Sequence, residues 1–198
     1  MIIGLTGSSG SGKSTVALMF ERIGCHIVDC DAISRRIDGD AEYKALVREN
    51  FGDEVFDGSG NISRKKLGAV AFADRELMQK LSSISHPIII KKVLRAVEKY
   101  KSIANVVIDA PLLFESGLDA VCDTTVGVIA DDDIRVKRIS LRDGVDEKNA
   151  SRRASFQQNA DFYRNRCIFI IENNGDEREL EEKFAVLINK IGSEKFEH

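Results

Sequence analysis

Gly7, Ser8, Ser9, Gly10, Ser11, Gly12, Lys13 and Ser14 satisfy the pattern GxxxxGK[ST], and Thr15 follows. Residues of these types at this spacing can bind a chain of phosphates. Glycines let backbone amides turn inward around phosphate oxygens, and a following helix contributes the positive end of its dipole. Lys13 reaches the β and γ phosphates, and the Ser14 hydroxyl is a ligand for Mg²⁺. A Gly/Ser linker can carry the same letters by chance. Here, however, apolar Ile2, Ile3 and Leu5 precede the pattern, and Val16, Met19, Phe20 and Ile23 follow it at helical spacing. Strand, loop and helix are the context the chemistry needs, so Ser9, Gly10, Ser11, Gly12, Lys13, Ser14 and Thr15 are the expected nucleotide contacts.

Carboxylates supply the second part of such a site. Asp109 ends the run VVID, where proteins with this loop place a carboxylate near the water shell of the metal, so Ser14 and Asp109 are the expected metal residues. Asp31 follows the short strand HIVD. Parallel strands present their carboxyl ends to one crevice, which Asp31 and Asp109 would share. Asp29 would share a side with Asp31 under period-two alternation, but it lies deeper and reads as a structural strand-end carboxylate.

These residues need elements to position them. Alternation of strand and helix at the N-terminus implies a parallel sheet covered on both faces. Five strands are expected: residues 2–5, 26–29, 105–109, 124–130 and 167–172. From 32 to 102 the pattern is helical, too long for a simple crossover, and reads as an inserted lobe. Within it FGDEVFDGSGN is a turn-rich surface stretch. Pro87 suits the first turn of a helix and pushes His86 out of helical geometry. Asn173, Asn174 and Gly175 make a turn before a last amphipathic helix carrying Leu180, Phe184, Leu187, Ile188 and Ile191, and SEKFEH is expected to fray.

Composition bounds the alternatives. The 198 residues hold 29 Lys plus Arg against 32 Asp plus Glu, and 43% are hydrophobic, which excludes a disordered chain and sustains a core without staples. No apolar run approaches ~18 residues and no basic leader precedes one, so neither a membrane span nor a secretion signal is expected. Four cysteines without a CxxC and only three histidines indicate no zinc site or disulfide framework, and a reducing, cytoplasmic setting. A net charge of −3 argues against nucleic acid as a partner. Residues 134–166 nevertheless hold nine Lys or Arg and four Asp or Glu. That island is either an anion-binding lid or a solvated helical hairpin laced with salt bridges. A guanine-reading NKxD is missing, since Asn189, Lys190, Ile191 and Gly192 lack the Asp. A small-molecule kinase, by contrast, needs an acceptor lobe and a mobile basic lid, and the lobe and the basic island supply both.

The ordered set IGLTGSSGSGKSTVA, VDCDAISRRI, FGDEVFDGSGNISRKKLGAVAF, LSSISHPII, DAPLLFESGLD and ENNG resembles the dephospho-coenzyme A kinase family over nearly the whole chain. The resemblance implies an α/β P-loop kinase fold: a five-stranded parallel sheet flanked by helices, with a helical acceptor-binding insert and a short basic lid. It implies ATP and Mg²⁺, dephospho-CoA as the small-molecule partner, and phosphorylation of its ribose 3′-hydroxyl. The second Asp of the DxD, Asp31, is then the base and an acceptor contact. Arg138 and Arg142 within RVKRISLRD are the lid arginines, and Lys13 completes the catalytic set. Arg64, His86, Leu112 and Glu115 fall on acceptor positions, although His86 reads equally as a structural residue at a helix start and Leu112 as core. The core would comprise 1–31, 103–133 and 167–198, the lobe 32–102 and the lid 134–166. Where the family commonly has Gly-Ile, this loop has Ser8 and Ser9, and Arg166 and Cys167 stand where Ala-Asp is usual. Competing readings are a nucleoside or nucleotide kinase with another acceptor and an ATP-binding regulatory protein without turnover. The second is disfavoured because Asp31 and the lid arginines are intact. Nothing in the residues specifies an oligomeric state.

Overall fold

The computed structural model describes residues 1–193; residues 194–198, most of the tail expected to fray, lie outside the described residues. In chain order the elements are β1 (Ile2–Gly7), α1 (Lys13–Arg22), β2 (His26–Asp29), α2 (Cys30–Arg36), α3 (Ala41–Phe51), α4 (Arg64–Ala71) and α5 (Arg75–Tyr100). There follow β3 (Val106–Asp109), β4 (Thr124–Ile129), α6 (Asp132–Asp143), α7 (Glu147–Ser155), α8 (Ala160–Arg164), β5 (Phe169–Glu172) and α9 (Glu177–Ser193). The strands form the expected five-stranded sheet in the order β2-β3-β1-β4-β5. Strand β1 lies between β3 and β4 in parallel register, Ile3 standing opposite Val107 on one side and Thr124 on the other. The chain leaves the central strand at Gly7, so the loop that follows opens at the carboxyl edge, beside the point where strand order reverses.

Two compact units result, residues 1–28 together with those from Tyr100 onward, and residues 29–99. In the first, Ile3, Leu5, Val107, Val126 and Val128 are buried in the sheet, as β-branched and aliphatic runs covered on both faces must be. Helices α1 and α9 cover one face through Val16, Phe20, Leu180, Phe184 and Leu187. The rings of Phe20 and Phe184 meet edge to face with centroids 4.9 Å apart. Helices α6 and α7 are joined at Gly144, whose φ of 63° ends α6. They enclose only a small apolar centre of Ile139, Ala150 and Ala154, with Val136 and Val145 beside it.

The unit of residues 29–99 has its own core of Ile37, Tyr43, Val47, Phe51, Val55, Phe56, Ile62, Leu67 and Ile88. Two expectations are corrected here. FGDEVFDGSGN is not simply a surface stretch: Val55 and Phe56 are buried, and Phe56 pairs with Ile62 across the turn. Pro87 does not start a helix, and His86 is helical, because both lie inside the 26-residue α5. The apolar stripe of Ile88, Val93 and Val97 carries the helix through the proline. Among the described residues no helix is long and apolar enough to cross a membrane, and no disulfide joins the cysteines.

Candidate active site

The loop between β1 and α1 is shaped by two glycines in left-handed conformation, Gly10 at φ 80° and Gly12 at φ 94°. Both are also places of close approach. A Cβ at Gly10 would lie 2.7 Å from the carbonyl oxygen of Arg135, and one at Gly12 would collide with the side-chain amide of Asn173. Three successive loop carbonyls are engaged from outside. Ser9 O accepts from Arg135 Nε at 3.1 Å, Gly10 O from Arg138 at 3.4 Å, and Ser11 O from Asn173 Nδ2 at 2.8 Å. In a trans peptide the N–H points opposite to the C=O. Tying these carbonyls outward therefore turns the amides of Gly10 and Gly12 toward the inside of the loop, while the Ser11 amide closes a tight turn on Ser8 O at 3.1 Å. Helix α1 begins with no side chain capping its amides. The result is a concave, amide-lined nest at a helix N-terminus, a site for an anion.

Charged groups complete it. Lys13 Nζ and Asp109 Oδ1 form an ion pair with both side chains mostly buried, which brings the P-loop cation to the carboxylate at the end of β3. Ser14, the next residue, is exposed on the first turn of α1. A serine hydroxyl and a nearby carboxylate are hard oxygen donors, and Mg²⁺ held mainly by phosphate and water needs only one or two such protein ligands, so this pair suits it. Beside the loop a cleft of about 310 Å³ is lined by Gly12, Thr15, Arg138, Asn173 and Gly175.

Helix α6 presents Arg135, Arg138 and Arg142 to the loop. Their spacing of three and four places them on one helical face. Arg138 also donates to Asn173 O at 3.0 Å, and Arg142 donates to the Ser9 hydroxyl at 3.1 Å. Asp143 holds Arg142 at 2.8 Å and Arg153 at 2.7 Å. The hydrogen bond from Arg142 is the leading reason its carboxyl sits below the usual carboxylate range. The basic stretch is thus a salt-bridged helical hairpin whose arginine face meets the phosphate loop.

Other expected residues are placed as follows. The Ser9 amide donates to Gln157 Oε1 at 2.7 Å. Leu113 is buried against Gly4, whereas Leu112 is exposed. Glu115 accepts from Gln158 Nε2 at 3.2 Å. In the unit of residues 29–99, the chain turns helical at Cys30, so period-two alternation fails between Asp29 and Asp31. Asp29 caps α2 by accepting from the Ala32 amide at 2.8 Å, and Asp31 is exposed on the first turn. Arg64 bridges Asp38 and the carbonyl of Arg35. His86 is exposed on α5.

Arg135, Gln157 and Tyr163 also meet the loop, and no local motif marks them. The Tyr163 hydroxyl lies 3.3 Å from that of Ser8, and burial pushes its pKa above the ordinary tyrosine value. Only the helical spacing of Arg135 with Arg138 and Arg142 was available as a signal.

A family model described as dephospho-CoA kinase matches residues 1–179. A dephospho-CoA kinase of Fusobacterium nucleatum is 36% identical over 183 residues, covering 92% of this chain and 94% of that protein. The crystal structure of TT1252 from Thermus thermophilus superposes with a TM-score of 0.79 at 29% identity, covering 96% of this chain and 97% of that one. Dephospho-CoA kinase from Campylobacter jejuni shares the fold with a TM-score of 0.73 at 23% identity, over 98% of both chains. A match that spans the phosphate loop, both carboxylate-bearing strand ends and the arginine helix places the chain in one family: it belongs to the dephospho-CoA kinases.

Proposed function

We propose that the chain transfers the γ-phosphoryl group of ATP to the ribose 3′-hydroxyl of dephospho-CoA, giving coenzyme A and ADP. The observation that carries this reading is the amide nest with its Lys13–Asp109 pair, set in a chain that matches the family over residues 1–179. Phosphoryl transfer asks little covalent chemistry of a protein; it is catalysed by positioning and by stabilising charge.

In this reading Lys13 and the inward-facing amides of Gly10 and Gly12 hold the β and γ phosphates, and Ser9, Ser11, Ser14 and Thr15 complete the loop around them. Ser14 and Asp109 would hold Mg²⁺, which would neutralise negative charge on the phosphates. Asp31 accepts the 3′-hydroxyl proton as the oxygen attacks, and no covalent intermediate is needed. Arg138 and Arg142 stabilise charge as it redistributes over the transferring group. Arg64, His86, Leu112 and Glu115 contact the acceptor. The proposed division of labour is a nucleotide core of 1–31, 103–133 and 167–198, an acceptor lobe of 32–102 and a closing segment of 134–166, in a cytoplasmic setting. The test is product identity by mass and ³¹P spectra with MgATP. Dephospho-CoA is converted and its 3′-deoxy analogue is inert; conversion of the 3′-deoxy analogue would overturn the regiochemistry.

A further inference from the structure

Arg135 is the charged residue whose burial the proposed mechanism does not use. It is 4% exposed, and its guanidinium is spent on three acceptors: Ser9 O at 3.1 Å, Gln157 Oε1 at 3.3 Å and Asp132 Oδ1 at 2.7 Å. A buried guanidinium is costly unless its donors are satisfied, and here the satisfaction is directed at the phosphate loop. Gln157 closes the figure from the other side. The same carboxamide oxygen that accepts from Arg135 accepts from the Ser9 amide at 2.7 Å. Both peptide groups of Ser9, its N–H and its C=O, are thereby fixed by one Arg–Gln pair. The backbone of Arg135 also abuts Gly10, where a Cβ would be 2.7 Å from the Arg135 carbonyl.

We infer that Arg135 and Gln157 are positioning residues for the phosphate loop: together they clamp the Ser9 peptide groups so that the next amides face the nucleotide. Neither touches a reacting atom in this account. The inference rests on the reading of this loop as the ATP site, and it concerns residues that neither the loop pattern nor the lid arginines include. Gln157 belongs to the segment after α7, so the clamp also ties loop geometry to the basic hairpin. Without it the amides would have to be ordered when ATP binds, and the cost falls on nucleotide affinity and not on the acceptor.

The experiment measures ATP binding by calorimetry, together with KM for ATP and for dephospho-CoA, in the full-length protein. Arg135→Met and Gln157→Ala should each weaken ATP binding about tenfold, with KM for dephospho-CoA changed less than about twofold. Gln157 is exposed, so Gln157→Ala remains decisive if Arg135→Met fails to fold. The double variant should bind ATP no worse than the weaker single one, because the two act as a unit. Arg135→Lys keeps the charge without the fork and should recover less than half of the loss. Unchanged ATP affinity in Gln157→Ala, strictly additive effects, or full recovery in Arg135→Lys would each overturn the clamp. Failure of the wild-type protein to bind ATP would overturn the kinase reading itself.

Discussion

At the scale of residues, the phosphate site is an arrangement of peptide groups whose carbonyls are held elsewhere. The sequence shows Gly10, Gly12, Lys13 and Ser14 plainly because their spacing is local and each type has a specific task. It does not show that Ser9 is claimed by Arg135 and Gln157, because those partners lie 126 and 148 positions away. Asp29 and Asp31 illustrate the same limit at short range. Alternation assigned them one side, but the chain becomes helical at Cys30 and Asp29 is used as a cap. That leaves Asp31 as the carboxylate without a structural duty in the cap. Asp31→Asn keeps size and polarity while removing a proton acceptor and a charge, so kcat should fall ~10²-fold or more with folding retained. Titrating Mg²⁺ in the variant separates the two roles. A proton acceptor gives a loss that saturating metal does not repair; substantial recovery would assign Asp31 to the metal shell.

At the scale of elements, the strands were legible from their β-branched runs and α1 and α9 from their apolar periodicity, since burial on the sheet selects those residue types. Helix α5 was legible as helical but not as one unbroken helix, because proline's local effect points to a helix boundary while the long apolar stripe overrides it. Pro87 cannot donate to the carbonyl one turn back, and within a helix it costs roughly 3 kcal/mol. Pro87→Ala should therefore stabilise the protein by about 1–3 kcal/mol, seen as a higher Tm in thermal melts. An unchanged or lower Tm would mean that the helix is already adapted to the missing bond. The basic hairpin shows a different kind of partial legibility. The salt-bridged hairpin is there, since Asp143 laces Arg142 to Arg153, while Arg135, Arg138 and Arg142 face the loop, which supports the proposal of an anion-binding lid.

At the scale of the whole molecule, the chain is stapled by neither disulfide nor metal cluster among the described residues, and its thiols have become part of the packing. Burial pushes Cys122 and Cys167 up to about 12 from 9.0. A raised folded value means the native state keeps protons that the unfolded chain releases, so this contribution to stability is full below pH 9 and lost as pH climbs toward 12. Urea midpoints should fall across that window, and Cys122→Ala/Cys167→Ala should flatten the fall; an unaltered slope in the variant would assign it to other groups. The central claim concerns what the molecule does, and a panel of acceptors with MgATP and an ADP readout addresses it directly. Binding energy from parts of the acceptor remote from the 3′-hydroxyl should be used at the reacting centre. Dephospho-CoA is therefore expected to show a much higher kcat/KM than adenosine, uridine or nucleoside monophosphates. Equal efficiency on adenosine, or a preference for uridine, would contradict the assignment.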